Sequence, residues 1–293
     1  MHIRKLVKSG TASHTISLPK DWISKNKLKK GDLLYIDEQD NDLKISTKNK
    51  DATVKQKEKI INIDREVNSI RRDTISAYIN NHTDFVFTGN TLNEKLEDIR
   101  NVLQNFLALE VIEQTEKRLI AKDFLNIKEF SLEKTARRMD MLTRSMIEDA
   151  KKGKEQYQTL YFRDFEVDKL FFLMSRLIRK HLSDPASSIS PIKAHTTWWL
   201  AKNLESAADA AKNLSRIFSK EIKGVYEGSE EYYRECIKSY FTKDKDLANR
   251  LIEKRLELLE RCDKIKGEQR YLIKELINSS RNIAKVILDS QTE

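Results

Sequence analysis

Two pairs of carboxylates have a spacing that could do chemistry. Asp164 and Asp168 stand four residues apart in RDFEVDKLFFLMSRL, and Glu205 and Asp209 repeat that spacing in WWLAKNLESAADAAKNLSRIF. On a helix, positions i and i+4 share one face, and like charges there cost roughly a few tenths of a kcal/mol. Two such pairs on successive helices would suit a shared cation, because hard metal ions take several carboxylate oxygens and need no histidine. Ala207, Ala208, Ala210 and Ala211 would let a neighbouring helix approach the second pair closely, with Leu200, Leu204 and Leu214 as the core stripe beside it.

The opening segment, IRKLVKSGTASHTISLPKDWISKNKLKKG, suggests a different chemistry. Its basic residues are Arg4, Lys5, Lys8, Lys20, Lys25, Lys27, Lys29 and Lys30, against the single acid Asp21. Such an excess faces either water or a polyanion. Short apolar segments at 3–7 and 16–18 alternate with the charges at strand spacing, and a basic β-surface is one way to read DNA. The charge is uneven along the chain: residues 1–50 hold eleven basic and six acidic groups, more than half of a net excess of +9.

Other chemistries are poorly supported. None of the five histidines follows a glutamate by three, and seven glycines form neither GxxxxGK[ST] nor GxGxxG. Cys236 and Cys262 form no CxxC and suit a reducing compartment. No apolar run approaches the roughly 20 residues of a membrane span, so a cytoplasmic protein without membrane insertion is expected. No enzyme is expected, a metal-dependent helical enzyme or metal store using Asp164, Asp168, Glu205 and Asp209 being the lesser alternative.

These residues need elements to position them. Residues 1–47 read as strands at 3–7, 15–18, 33–37 and 43–46 with a short helix at 21–26; Asp40 and Asn41 supply a tight turn. Fewer than about 50 residues rarely supply an independent core, so this head is expected to dimerise. Residues 48–59 read as a polar linker. Residues 60–125 read as a small α/β subdomain: a helix to about 78, a strand at 85–88, a helix at 92–106 capped by Asn90 or Thr91, and strands at 109–113 and 118–124. Residues 126–293 read as a bundle of long helices at 131–152, 162–181, 191–220, 229–264 with a break near Thr242, and 269–288. Only three prolines occur, none inside a long apolar-periodic stretch. The fold class expected is mainly α with a small β domain. Trp198 and Trp199 read as core and interface residues.

The run RKLVKSGTASHTISLPKDW followed by KKGDLLYI resembles the AbrB/SpoVT family of swapped-hairpin domains, over about 45 residues. The resemblance implies a dimeric β-barrel in which two chains interleave strands, with DNA contacts at Arg4, Lys5 and Lys8, and also at His14, Lys20 and Lys25. The helical part resembles PhoU, a phosphate-signalling regulator built of two three-helix repeats. DFEVD at 164–168 and LESAADAAKNL at 204–214 match its acidic motifs, which implies a metal ion (iron, zinc or magnesium) at Asp164, Asp168, Glu205 and Asp209. In the second repeat LIKELINSSRNIAK follows the style of the first, but Ser279 stands where the second acid belongs, which favours one metal site or none.

A swapped-hairpin head on a PhoU-like body resembles archaeal phosphate-uptake regulators. The function implied is a non-enzymatic, dimeric, DNA-binding transcriptional regulator of phosphate uptake whose body senses a metal or a partner. The alternative is an adaptor that binds a phosphate ABC transporter's ATP-binding subunit or a sensor protein and uses the head only to dimerise. A head that must pair to fold would hold two helical bodies close together.

Overall fold

The computed structural model describes residues 2–11, 13–39, 42–47, 57–184, 187 and 189–289. The tight turn expected at Asp40 and Asn41 and the linker at 48–56 lie outside the described residues. The chain divides into two compact units, Met1–Lys55 and Gln56–Glu293.

The first unit consists of two hairpins and a short helix. β1 (Val7–Ser9) pairs antiparallel with β2 (Ser13–Thr15), α1 (Lys20–Lys25) follows, and β3 (Tyr35–Gln39) pairs antiparallel with β4 (Asp42–Ser46). The ladder of the first hairpin lies nearer its turn than the expected strands at 3–7 and 15–18. Gly10 at φ +75° sets the reversal, and the residues flanking it pair first. No residue of this unit is buried among those described.

The second unit opens with a four-stranded sheet. β5 (Glu58–Asn62) leads into α2 (Val67–Ile79), which crosses to β6 (Asp84–Thr88), parallel to β5. α3 (Leu92–Leu103) precedes β7 (Leu109–Gln114) and β8 (Arg118–Asp123), giving the order β5-β6-β8-β7. β5 corrects the expectation that a linker ran to 59 and a helix began at 60. A parallel partner needs a crossover, and α2 supplies it. Alternation buries Phe85 and Phe87 on β6 and Leu119 and Ala121 on β8, so one sheet face joins a core with Tyr78 and Ile99. α3 is capped from outside: the Asp64 carboxylate accepts from the amides of Asn90 at 2.8 Å and Thr91 at 3.0 Å, rather than a side chain of Asn90 or Thr91 doing so. Gly89 leaves room for it, since a Cβ there would lie 2.7 Å from the Asp64 Oδ1.

Six long helices follow: α4 (Leu132–Ala150), α5 (Tyr157–Ser183), α6 (Pro191–Ile217), α7 (Lys223–Thr242), α8 (Lys245–Asp263) and α9 (Glu268–Asp289). Ser131 caps α4 by accepting from the Lys134 amide, and Ser190 caps α6 by accepting from the Lys193 amide, with Pro191 at its first position. The expected break near Thr242 is real. Lys243 turns into the left-handed region at φ 55°, and Asp244 starts α8 by accepting from the Leu247 amide at 2.8 Å. α6 packs on α4, α5 and α9, with its alanines fully buried. Three buried tyrosines of α7 stay satisfied: Tyr226 donates to the Ile147 carbonyl, Tyr232 to the Leu251 carbonyl and Tyr233 to the Asp140 carboxylate. Cys236 and Cys262 are buried and free.

The sheet is joined to the bundle through α5. Phe172 packs against Phe106, which packs against Tyr78. Beside them Arg176 pairs with Asp123, both side chains almost wholly buried, and the guanidinium lies 4.6 Å from the Tyr78 ring centre. Trp198 and Trp199 do not enter the core as expected: each is more than a third exposed.

Candidate functional site

The acidic site lies along α6, which packs on α5 and on α9. Helical spacing puts Asp164 and Asp168 one turn apart on α5, and Glu205 and Asp209 one turn apart on α6. The buried alanines between the α6 acids add little bulk to the helix–helix seam. Glu205 and Asp209 are near enough to Asp164 and Asp168 for their charges to raise the proton affinity of that pair.

Their partners differ sharply. Lys212, one turn beyond Asp209, donates from Nζ to the Asp209 carboxylate at 2.6 Å and across the helix seam to the Asp164 carboxylate. Lys202, one turn before Glu205, holds Glu205 at 2.6 Å. The buried Asp164 keeps its other oxygen, Oδ1, without a hydrogen-bond partner. No described residue donates to the half-buried Asp168.

The proton affinities follow from this arrangement. Burial pushes Asp164 up to about 6, although the bond from Lys212 pulls the other way. Burial also pushes Asp168 up, to about 7, with the charges of Asp164, Glu205 and Asp209 adding to it. Burial works against the charge on Lys212, yet the bonds to Asp164 and Asp209 outweigh it and hold the ammonium above its usual range. Glu275 on α9 is raised too, by burial and then by Asp209 and Glu205.

Two participants were therefore missed from sequence. Glu275 stands in KELINSS, the degraded motif, and Lys212 stands in the quoted ADAAKN. Their signals were present as an acid and a base one helical turn from a marked position, but which neighbour each would face was not. As arranged, the residues do not fit a resident metal ion. Among the described residues no three His, Cys, Asp or Glu side chains come together as a ligand set, and the cation bridging α5 to α6 is an ammonium.

The basic candidates all lie in the first unit. Lys8 and His14 face each other across the β1–β2 ladder, Arg4 and Lys5 precede β1, and Lys20 and Lys25 begin and end α1. All six are exposed. The same unit leaves Ile3, Leu6, Val7, Ile16, Leu33, Ile36 and Leu43 each more than half exposed. Separate hairpins with bare apolar side chains are an unfinished core, and a second chain is the usual means of finishing one.

A family profile described as antidote-toxin recognition MazE, bacterial antitoxin, matches residues 7–53. The chain thus carries a MazE/AbrB-like domain at its N-terminus, and domains of this kind typically dimerise and bind DNA. No curated protein matches the chain, and no solved structure matches it. Among the described residues no helix is long and apolar enough to cross a membrane.

Proposed function

We propose that this chain is a non-enzymatic, DNA-binding transcriptional regulator, dimeric through its N-terminal domain, and that it acts in phosphate uptake with its helical body as the sensing module. One observation carries the DNA-binding part: the first unit, which the profile matches from residue 7 onward, has an exposed apolar surface suited to a second chain and exposes Arg4, Lys5, Lys8, His14, Lys20 and Lys25. Pairing two such domains would double the basic surface offered to a duplex. The phosphate part rests on the resemblance of the DFEVD and LESAADAAKNL segments to PhoU, together with six long helices that divide into two sets of three. A metal has no step in this reading, since an ammonium sits between the acids.

The test is fluorescence anisotropy of the full chain with duplex DNA from upstream of its own gene and of phosphate-transport genes. Binding that weakens with salt, and that fails in the Arg4→Ala/Lys5→Ala variant at unchanged oligomeric state, supports the reading. Salt-insensitive or absent binding overturns it and favours the adaptor. Recovery of a transporter's ATP-binding subunit or a sensor protein from the same cells would then identify the partner.

A further inference from the structure

We infer that Lys212 is a tethered replacement for a divalent ion: its ammonium takes the position between α5 and α6 that an ion gathered by these acids would occupy, and so keeps this site free of metal. The geometry is that of a bridging cation. Nζ reaches the Asp209 carboxylate at 2.6 Å on its own helix and the Asp164 carboxylate on the facing helix. The Lys212 side chain is only 14% exposed, and Asp164 is 9% exposed at its side chain, so bulk cations compete poorly for either.

The replacement is built into the spacing of α6. Lys202, Glu205, Asp209 and Lys212 stand at intervals of three, four and three, so each acid has a lysine one turn away on its outer side. Lys202 pairs with Glu205 and Lys212 with Asp209, so each acid of α6 already has a cation of its own. A tethered ammonium pays no loss of free translation on binding, whereas a divalent ion must shed water as it enters. Removing the ammonium would uncover the carboxylates of Asp164 and Asp209, with Asp168, Glu205 and Glu275 close enough to feel their charge, and hard cations take oxygen donors of this kind. Asp164 would bring an Oδ1 that already lacks a partner.

Manganese(II) is the probe, used on chelator-treated full-length protein at pH 7.5 with calorimetry and electron paramagnetic resonance. Lys212→Met keeps the length of the hydrocarbon stem and removes the charge. The parent should bind no stoichiometric manganese, while K212M gains one ion per chain at least tenfold more tightly, and K212M/D164N loses it again. Parent protein that holds a stoichiometric ion sensitive to Asp209→Asn would overturn the inference. So would a K212M protein of unchanged helix content that binds manganese no better than the parent. Should K212M not fold, elemental analysis of the parent purified without chelator decides alone: metal-free protein supports the inference and stoichiometric iron, zinc or manganese refutes it. Neither outcome bears on whether the head binds DNA.

Discussion

Asp168 should make the protein less stable as the pH rises from about 4 to about 7, the reverse of a carboxylate held in a salt bridge. Its carboxyl is pushed up to about 7 by burial and by its acidic neighbours, against an ordinary value of 3.8. The native protein therefore keeps a proton on Asp168 through a pH range in which the unfolded chain has released it. With more protons bound to the native state, stability must fall with rising pH across that window. The cost is absent below the unfolded value and fully present above about 7. The difference between 3.8 and about 7 corresponds at most to about 4 kcal/mol, at about 1.36 kcal/mol for each tenfold change in proton affinity. Relaxation of Asp164, Glu205 and Asp209 and entry of water reduce this to about 1–3 kcal/mol. Asp168→Asn keeps the shape and removes the charge. Urea denaturation followed by helical circular dichroism, with a chelator present, should find D168N about 1–3 kcal/mol more stable than the parent at pH 8. The gap should close as the pH falls toward 4. A variant no more stable than the parent at pH 8, or a gap that widens on acidification, would refute the reasoning.

Other outcomes follow from features already described. If Arg4, Lys5 and Lys8 of both chains in a dimer meet phosphates, about six contacts give a log–log salt slope of roughly −5; titration across salt concentrations should find it, and Arg4→Ala should make it shallower. Arg176→Met leaves Asp123 buried without its cation and should cost about 3–5 kcal/mol, read by chemical denaturation. Lys243→Gly relieves a left-handed residue at φ 55° and should raise stability by up to about 1 kcal/mol, whereas Asp244→Ala removes the cap of α8 and should lower it by about 1 kcal/mol. Ile36→Lys should move the protein toward monomer in analytical ultracentrifugation, because Ile36 belongs to the exposed apolar set of the head.

The long helices were legible because their signals are local. Ser131 and Ser190 sit where caps are needed, and the break after Thr242 falls where Lys243 and Asp244 interrupt the apolar period. β5 was not legible, because KEKIIN carries a brief apolar run among charges and becomes a strand only through its parallel partner β6, twenty-six residues on in register. The first hairpin was misplaced for a related reason: residues 3–7 do carry apolar side chains among charges, but Gly10 decides where pairing begins. At the acidic site the i,i+4 pairs could be read directly. Lys212 could not, since the same one-turn spacing that places it beside Asp209 says nothing about its reach to Asp164 on another helix. Glu275 arrives from α9, a separation no local pattern spans.

The alanine face of α6 has a mechanical consequence. Ala201, Ala207, Ala208, Ala210 and Ala211 are fully buried on a helix that packs on α4, α5 and α9. Alanine has no rotamer to change, so at these positions only the side chains of the facing helices and the α6 leucines can repack. Fewer rotamers at the seam favour movement of α6 as a unit over local repacking, and α6 is the helix that packs on both α5 and α9.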